Sequence, residues 1–491
     1  MKLLNLLIIL LLIGCSSDKQ ESDSVADNSA VYKVSFGPDK KTVSVEAEFT
    51  LENEIIYTYV QSIPELPDGE ASFFKNVMLR DKVTGKQIEI KSMKEGDWVT
   101  AGKNNERVIL SYNIEMDHEK YSWPSGIDEV AFVREDGIFF TGDALFIIPG
   151  EQIKNIMVEF SLPEGWKVST PWKEKTKNKF EVTGYRDLIS NCLFAGTHLE
   201  ENILIDQFNL KIVLGGNQKK SKDLLVGVMT PVLKNYMKLF GDNTASTYLI
   251  VVHEDKMNDG GAYKNSFSQL VDGEVNELSK VTWAHTMAHE IFHLWNGNSI
   301  IPEGQEEWFK EGFTDYMTVV YLSRLNILDR NNILKTIENI YRKYVLSDLM
   351  RDPATDRISI RSSGDNKAKN RLLVYGGGEL IAMMLDIEIR EKSGGKNSVD
   401  TLMKRMFTQF GKTGKHYSLN DIILLSSELA GSDMKWFFDK YVTGTDKIDM
   451  RPYFKKLGLQ LDTFVEEINI NQKEDASESE KTLFKSIYEM N

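Results

Sequence analysis

The chain has 491 residues, enough for roughly three domains, and its apolar fraction of 41% is sufficient to give each domain a core. Its formal net charge of -14 and its isoelectric point near 5.2 argue against a phosphate-backbone ligand, because nucleic-acid binding requires clustered Lys and Arg side chains. Nucleic acid is therefore not an expected partner. The same net charge disfavours adsorption of the protein to an anionic lipid surface.

The first residues have the pattern of a secretion signal. A basic residue, Lys2, precedes the apolar run 6–13, which is too short to span a hydrocarbon core of about 30 Å as a helix. We therefore interpret residues 1–14 as a signal peptide. The motif LIGC at its end resembles a bacterial lipobox, which implies that Cys15 receives a diacylglyceryl group and becomes the new N-terminus. An ordinary signal peptide with an incidental cysteine is the alternative.

This interpretation predicts where the protein works. Acylation would anchor the chain to a membrane outside the cytoplasm, on the periplasmic or cell-surface side of a bacterial cell envelope. Residues 15–30 are polar and charged and cannot bury enough surface to offset their ordering entropy, so we expect a flexible tether. The only other cysteine is Cys192, which excludes an internal disulfide once Cys15 is acylated.

Residues 31–215 are predicted to form an antiparallel β-sandwich. Segments such as YKVSFGP, TVSVEAEFTL and RVILSYNIEM alternate apolar and polar residues at a period of two, and turn signals lie between them. No residue cluster in this region has the pattern of a catalytic site, since His118 and His198 each stand alone in the sequence.

The hydrophobic period changes after residue 216. DLLVGVMTPVLKNYMKLF has helical spacing, TYLIVVHE is typical of a buried strand, and GGAYKNSFSQLV is typical of an edge strand introduced by two glycines. This order predicts an α+β catalytic domain over 216–390, an α-helical domain over 391–465 and an acidic polar tail over 466–491. The expected fold is therefore multidomain α+β.

The segment AHTMAHEIFHLWNGN contains three of the seven histidines of the chain. His289 and His293 are four residues apart and so lie on one face of a helix, where both imidazoles can reach one ion at about 2.0–2.1 Å. Glu290 lies beside them, where a general base must be to take a proton from water that the ion activates. A surface helix that happens to be rich in histidine is the alternative.

The next helical segment, EGQEEWFKEGFTDYMTVVYLSRL, offers a carboxylate that would complete a His₂Glu zinc set. Glu311 has aromatic neighbours, so a fully solvated acidic face is a poor alternative for it. Asp315 lies four residues further on the same face and could accept the outer N–H of His289, which would fix the tautomer of that imidazole. His285 extends the histidine series by one turn, but a third ligand on one helix would crowd the ion. We expect His285 to lie behind the ligands or simply to pack.

HEIFHLWN followed by WFKEGFTDY resembles the gluzincin metallopeptidases, most closely the glycyl-aminopeptidase family, and the similarity extends to VYGGGELIAMMLDIEIREK. This resemblance implies an N-terminal β-domain, a thermolysin-like catalytic domain and a helical C-terminal domain. It also implies one zinc ion per chain and a peptide or protein substrate. The matching positions imply His289, His293 and Glu311 as zinc ligands, Glu290 as general base and Tyr375 as oxyanion stabiliser.

Three features depart from the family pattern. Seventeen residues separate His293 from Glu311, fewer than we expect in the closest relatives, which indicates a trimmed loop. Gly377 stands where the family usually has a lysine two residues after the tyrosine. Relatives often end in a PDZ domain, whereas the last segment of this sequence is acidic and polar, so we expect no peptide-capturing module of that kind.

The edge strand carries a further departure. In gluzincin aminopeptidases such a strand pairs its backbone with the substrate, so the resemblance implies that Gly260, Gly261, Ala262 and Tyr263 bind substrate. Relatives place a glutamate shortly after the glycines to hold the α-amino group, and here Tyr263 occupies that position and Lys264 follows. We therefore expect weak selection for a free N-terminus. Three acidic residues could replace the missing glutamate: Glu254, Asp255 and Asp259.

The sequence therefore predicts a lipid-anchored zinc metallopeptidase of aminopeptidase type, and it leaves open whether chain ends or internal bonds are cut. Two alternatives remain: a peptide-binding lipoprotein that keeps the fold without the chemistry, and a zinc hydrolase of another amide or ester. The intact Glu290 disfavours the first alternative, because a binding protein has no use for a general base. The natural substrate and the oligomeric state are not predicted.

Overall fold

The computed structural model describes residues 28–59, 69–115, 131–241, 245–255, 259–352, 356–464 and 467–490. The predicted signal peptide, Cys15 and most of the predicted tether lie outside these residues, as does His118. Across the ranges described, no helix is both long and apolar enough to span a membrane.

The N-terminal part of the chain consists mainly of β-strands. Their bounds, with one short helix, are β1 Ala30–Phe36, β2 Thr42–Thr50, β3 Ile55–Tyr57, β4 Phe74–Asp81, β5 Gln87–Ile88, β6 Ile90–Ser92, β7 Asp97–Thr100, β8 Arg107–Glu115, β9 Phe132–Arg134, β10 Gly137–Thr141, β11 Lys154–Ser161, β12 Lys167–Ser169, β13 Lys173–Thr176, β14 Lys179–Gly184, α1 Tyr185–Ile189 and β15 Cys192–Gly196. They form an eight-stranded sheet in the order β13-β14-β11-β1-β2-β8-β4-β5, a four-stranded sheet β12-β15-β10-β9 and a three-stranded sheet β3-β7-β6.

The eight-stranded and four-stranded sheets share one hydrophobic core. Tyr32, Val45 and Leu110 of the first sheet belong to the same buried cluster as Phe140 and Leu193 of the second. Alternate residues of β2 and β8 are buried, as a period of two predicts. The predicted sandwich is therefore present, with one difference: β1 pairs with β11 in parallel. Parallel neighbours require a long connection, and β11 lies far from β1 in the sequence.

The central part of the chain, where the sequence predicts the catalytic domain, is an α+β unit. Its elements are β16 Leu199–Ile205, β17 Phe208–Leu214, α2 Lys222–Phe240, β18 Thr247–Asp255, β19 Asp259–Ala262, β20 Ser266–Asp272, α3 Lys280–Phe292, α4 Glu307–Arg324, α5 Arg330–Leu349 and α6 Gly378–Lys392. The strands form one sheet in the order β16-β17-β18-β20-β19. β17, β18 and β20 run parallel, and β19, which carries the two glycines, is an antiparallel edge strand. The rest of the predicted edge strand, SFSQLV, instead forms the interior strand β20 after a turn.

This five-stranded sheet is buried on both faces. Leu210 and Ile250 on one face pack into the cluster formed by the helices. Val251 on the other face packs against Phe139 and Phe194 of the four-stranded sheet. A strand that is covered on both sides needs apolar residues at successive positions, which is why β18 has no alternation. The N-terminal domain therefore lies directly against the back of the catalytic sheet.

The catalytic sheet begins earlier in the chain than the predicted domain boundary at residue 216. β16 and β17 form a hairpin, and β17 pairs in parallel with β18. The hairpin alternates at a period of two like the strands before it. Periodicity alone therefore assigns the hairpin to the β-sandwich, although β17 forms its ladder of hydrogen bonds with β18 of the next domain.

The C-terminal elements are α7 Val399–Met406, α8 Leu419–Ala430, α9 Lys435–Tyr441, α10 Arg451–Lys456, β21 Leu459–Phe464, β22 Glu467–Gln472 and α11 Glu478–Tyr488. The helical domain is as predicted. The prediction of an acidic polar tail over 466–491 was wrong, because residues 467–490 are folded. β22 pairs with β21, and α11 buries Phe484, Ile487 and Tyr488. These apolar side chains at helical spacing offset the cost of ordering a mostly polar segment.

α4 and α6 cross at very close range. A Cβ atom on Gly312 would lie 2.2 Å from the backbone carbonyl carbon of Gly378, and a Cβ atom on Gly378 would lie 2.4 Å from the carbonyl oxygen of Trp308. The two glycines therefore allow the helix that carries Glu311 to lie directly on the helix that follows Tyr375. This crossing sets the distance between two parts of the candidate site.

The substitution Gly312→Ala is expected to lower the free energy of unfolding by roughly 1–3 kcal/mol, because the added methyl group overlaps the backbone of α6. The matched control is Gly227→Ala in α2, where a Cβ atom meets nothing within 4 Å. Alanine should stabilise that position by up to about 1 kcal/mol through its higher helix propensity. Chemical denaturation measures both effects, and equal effects would contradict a close crossing at Gly312.

Candidate metal centre and substrate cleft

Three side chains from two helices converge on one point. The Nε2 atoms of His289 and His293 are 3.0 Å apart, and each lies 3.3 Å from Oε2 of Glu311. A tetrahedral zinc ion with bonds of about 2.0–2.1 Å separates its ligand atoms by about 3.3–3.4 Å. The triangle formed by the three atoms therefore has the size that a zinc ion requires.

The protons of both imidazoles point away from this triangle. His289 Nδ1 donates to Oδ1 of Asp315 at 2.7 Å, and His293 Nδ1 donates to the carbonyl oxygen of Asn296 at 2.7 Å. Since both partners are acceptors, the neutral imidazoles carry their protons on Nδ1 and present lone pairs on Nε2. Two nitrogen lone pairs and a carboxylate oxygen then face one another, which is unfavourable unless a cation lies between them. The residues therefore fit a zinc ion.

The electrostatics of the site also favour a cation. Burial opposes a charge on the His289 imidazole, but attraction by Asp315 and hydrogen bonds to Asp315 and Glu311 outweigh burial and raise the pKa of His289 well above its usual value. Burial opposes a charge on Glu311 too, yet the two imidazoles hold the pKa of that carboxyl well below its usual range. The site thus keeps a buried carboxylate ionised, as metal binding requires.

One side chain ties the two ligand helices together. Asn296 lies in the turn after α3, and its Nδ2 donates to the carbonyl oxygens of Phe309 at 3.2 Å and Lys310 at 3.0 Å and to Oγ1 of Thr314 at 3.1 Å. Its backbone carbonyl holds His293 at the same time. Asn296 therefore sets the position of His293 relative to α4. We did not predict this role, for which the only sequence signal is a polar residue between Trp and Gly in LWNGN.

Asp315 and His285 lie behind the ligands. Burial alone would raise the pKa of the Asp315 carboxyl, but attraction and a hydrogen bond from His289 lower it, so the carboxylate stays charged. His285 Nε2 is 3.7 Å from Oδ1 of Asp315, and burial lowers the pKa of His285 to about 4. His285 is therefore a neutral neighbour of Asp315, in keeping with the expectation that it is not a ligand.

The ligands open into a cleft of about 570 Å³ between the β-sandwich and the catalytic domain. Its lining residues are Tyr59, Asp143, Ile189 and Ser190 from the N-terminal domain and Tyr248, Gly261, Ala262, Tyr263, Lys264, Glu290, His293, Asn298, Lys310, Glu311, Lys367 and Tyr375 from the catalytic domain. One cavity is thus lined by the predicted base, two of the three predicted metal ligands (His293 and Glu311), the predicted oxyanion stabiliser and the edge strand. Gly260 is not among the lining residues, and a Cβ atom there would lie 3.1 Å from the ring of Phe267.

A second cavity, of about 580 Å³, lies between α2, α4, α7 and α11. Its acidic centre, Asp400, accepts hydrogen bonds from the hydroxyl of Tyr321 at 2.9 Å and from two nitrogens of Arg324 at 2.8 and 3.0 Å. That carboxylate holds helices together, and the metal ligands lie elsewhere. We therefore assign the function to the first cleft.

Tyr375 lies in a short π-helical turn, Leu373–Gly377, immediately before α6. Wide turns of this kind are frequent at functional sites. The ring of Tyr375 lies 6.3 Å from the ring of His289. Burial and the nearby Glu311 carboxylate raise the pKa of the phenol above its usual value, so its hydroxyl stays protonated and can donate a hydrogen bond.

The acidic residues proposed to replace the missing glutamate are engaged elsewhere or are not described. Oε2 of Glu254 accepts from Asn217 at 2.7 Å, Asp255 forms an ion pair with Arg134, and the side chain of Asp259 lies outside the described atoms. Lys264, which follows Tyr263, forms an ion pair with Asp187.

A different carboxylate reaches the cleft. Within the described lining, Asp143 is the one carboxylate besides Glu290 and Glu311. It comes from the N-terminal domain, with Tyr59 and Ser190. No local pattern marks these residues in the sequence, because only the packing of the two domains brings them to the site.

The geometry can be compared with known proteins. Residues 31–197 match the family model described as Peptidase M61 N-terminal domain, and residues 258–441 match the Peptidase family M1 domain. The first match covers the β-sandwich, and the second contains all three candidate zinc ligands, Glu290 and Tyr375. No curated protein matches the chain by sequence.

Solved structures share the fold. An aminopeptidase N family protein from Idiomarina loihiensis superposes with a TM-score of 0.75 at 18% identity, over 89% of this chain and 79% of that one. An M1 zinc metallopeptidase from Deinococcus radiodurans superposes with a TM-score of 0.54 at 11% identity, over 86% of this chain and 94% of that one. The arrangement of a β-rich domain, a catalytic domain and C-terminal helices is thus common to these proteins.

Asp315→Asn is expected to weaken zinc affinity or activity by roughly 10- to 100-fold, because the amide holds the His289 imidazole less firmly than the carboxylate does. Zinc affinity is measured by competition with a chelator, and thermal unfolding of the metal-free protein shows whether the fold is intact. An intact variant with unchanged affinity and activity would remove Asp315 from the support of the metal.

Proposed function

Because the chain is a zinc metallopeptidase of the gluzincin group, we propose that it hydrolyses peptide bonds in the cleft between its two domains, with Glu290 as general base. One observation carries the proposal: two imidazole nitrogens and one carboxylate oxygen converge beside an intact glutamate and an edge strand, at the wall of one cavity. We propose one zinc ion per chain, since the described residues supply one such donor set.

The bound zinc ion, Glu290 and Tyr375 have separate roles in the proposed reaction. Zinc, when bound, supplies a Lewis acid that polarises a carbonyl and acidifies water. The carboxylate of Glu290 takes a proton from the attacking water and gives it to the departing amine. The hydroxyl of Tyr375 donates to the oxygen on which charge develops, and one such donor contributes roughly 3 kcal/mol to the transition state. A protein that only binds peptides needs none of these groups.

The edge strand β19 is the proposed binding site for the substrate backbone. An extended peptide can add to an exposed sheet edge through main-chain hydrogen bonds, and Gly261 and Ala262 line the cleft beside Glu290. The amine-binding motif is altered, since Tyr263 has no charge to offer an α-amino group. We therefore propose that free N-termini are selected weakly.

We also propose that the protein works as a lipoprotein of a bacterial cell envelope. The support is the motif LIGC, which directly follows the apolar run 6–13, and the polar composition of the segment after Cys15. A membrane is then a partner through the acylated N-terminus, on the side of the membrane that faces away from the cytoplasm.

The base is tested with Glu290→Gln, which keeps the shape of the side chain and removes its basicity. We expect about one zinc per chain in the wild type and the variant, with peptide hydrolysis lost only in the variant. Metal analysis and hydrolysis of a fluorogenic peptide give the two readouts. Comparable hydrolysis by both proteins would remove Glu290 from the mechanism, and absence of metal from both would favour a binding role.

The selection of chain ends is tested with one peptide that carries either a free or an acetylated N-terminus. We expect the blocked peptide to be cut at least as well as the free one. The reason is that Tyr263, which has no charge, stands where the resemblance predicts the glutamate that holds the α-amino group. A preference of tenfold or more for the free amine, about 1.4 kcal/mol, would contradict this proposal. If the Asp143→Asn variant then lost this preference, Asp143 would be identified as the residue that binds the α-amino group of the substrate.

A further inference from the structure

A lysine from outside the zinc-binding motif contacts one of the metal ligands. Nζ of Lys367 donates to Oε1 of Glu311 at 2.6 Å, while the other oxygen of that carboxylate, Oε2, faces the two imidazoles at 3.3 Å. Nζ of Lys367 also lies 3.1 Å from Oε2 of Glu307, one turn earlier on α4. The two oxygens of Glu311 therefore have separate partners.

We propose that Lys367 is a positioning residue that holds Glu311 in a one-oxygen geometry toward the metal. This inference rests on the proposed zinc peptidase function. A carboxylate can bind a metal through one oxygen or through both, and a charge-assisted hydrogen bond to Oε1 withholds that oxygen from the ion. A fourth coordination position then stays open for water, as a catalytic zinc site requires.

The surroundings of Lys367 keep it in place. It directly follows the short 3-10 turn Ser362–Asn366, in which a Cβ atom on Gly364 would lie 3.2 Å from Cβ of Glu307. This tight packing holds the turn against α4. The carboxylates of Glu311 and Glu307 lie 2.6 Å and 3.1 Å from its Nζ, so two ion pairs hold the end of the side chain.

Lys367 also connects the metal ligand with the oxyanion stabiliser. Its Nζ lies 5.5 Å from the centre of the Tyr375 ring, and the guanidinium of Arg371 lies 4.8 Å from the same ring. Cations at these distances are attracted by the ring face. A single lysine thus contacts both Glu311 and Tyr375, which lie on different elements of the fold.

The direction in which zinc affinity changes when Lys367 is replaced distinguishes a positioning role from a purely electrostatic one. A lysine near a divalent cation repels it, so loss of the charge alone should tighten zinc binding. Loss of a positioning hydrogen bond should instead weaken it. Lys310 provides the matched control, because its Nζ lies 3.6 Å from the same Oε1, beyond hydrogen-bond distance, and its side chain is 33% exposed compared with 34% for Lys367.

The experiment compares Lys367→Met and Lys310→Met by competition of the metal-free proteins with a chelator for zinc. We expect Lys367→Met to weaken zinc affinity roughly tenfold or more, and Lys310→Met to leave it unchanged or tighter. Lys367→Arg, which keeps a charged N–H donor, should recover most of the loss. The visible spectrum of the cobalt(II)-substituted protein should change in Lys367→Met and not in Lys310→Met, because it reports the number of ligands.

Equal zinc affinities of Lys367→Met and Lys310→Met, or tighter binding by both, would overturn the positioning role while leaving the peptidase proposal intact. Absence of zinc binding by the wild type would overturn the peptidase proposal itself. Thermal unfolding of the metal-free variants controls for the fold. A loss of affinity in Lys367→Met that the arginine variant does not recover, together with a lowered unfolding temperature, would assign Lys367 a structural role only.

Discussion

The convergence of two imidazole nitrogens and one carboxylate oxygen within about 3.3 Å is the interaction on which the catalytic domain depends. Without a cation the three lone pairs repel one another, so other contacts must keep α3 and α4 together. Asn296 ties the end of α3 to α4, Asp315 holds His289, and the close crossing at Gly312 seats α4 on α6. Binding of a metal relieves the repulsion and adds its binding free energy to the stability of the fold.

The burial of the catalytic sheet on both faces has a consequence for substrate recognition. Since the four-stranded sheet packs on the back of this sheet, the N-terminal domain is fixed close enough to supply one wall of the cleft, with Tyr59, Asp143 and Ser190. The selection of substrates is therefore a joint property of two domains. This explains why a catalytic domain with an altered edge-strand motif still faces a carboxylate.

The spacing of residues in the sequence predicted those parts of the site that depend on the geometry of a single helix. Residues four apart share a helix face, so His289 and His293 could be placed on one ion, and Glu311 could be recognised by its aromatic neighbours. Asp143 and Lys367 reach the site only through packing between distant segments, and no spacing in the sequence encodes such packing. The folded C-terminus was missed for another reason: acidic and polar residues dominate its composition and obscure the helical spacing of its few apolar side chains.

Under the proposed mechanism, the charges around Tyr375 take the place of the lysine that the gluzincin resemblance leads us to expect two residues after the tyrosine. Gly377 has no side chain to offer, but Lys367 and Arg371 bring two cations to the ring of Tyr375 from the preceding turn. Burial and the negative charge of Glu311 act in the opposite direction and raise the pKa of the phenol. The hydroxyl therefore remains a hydrogen-bond donor near neutral pH, while the cations lower the cost of negative charge developing next to it.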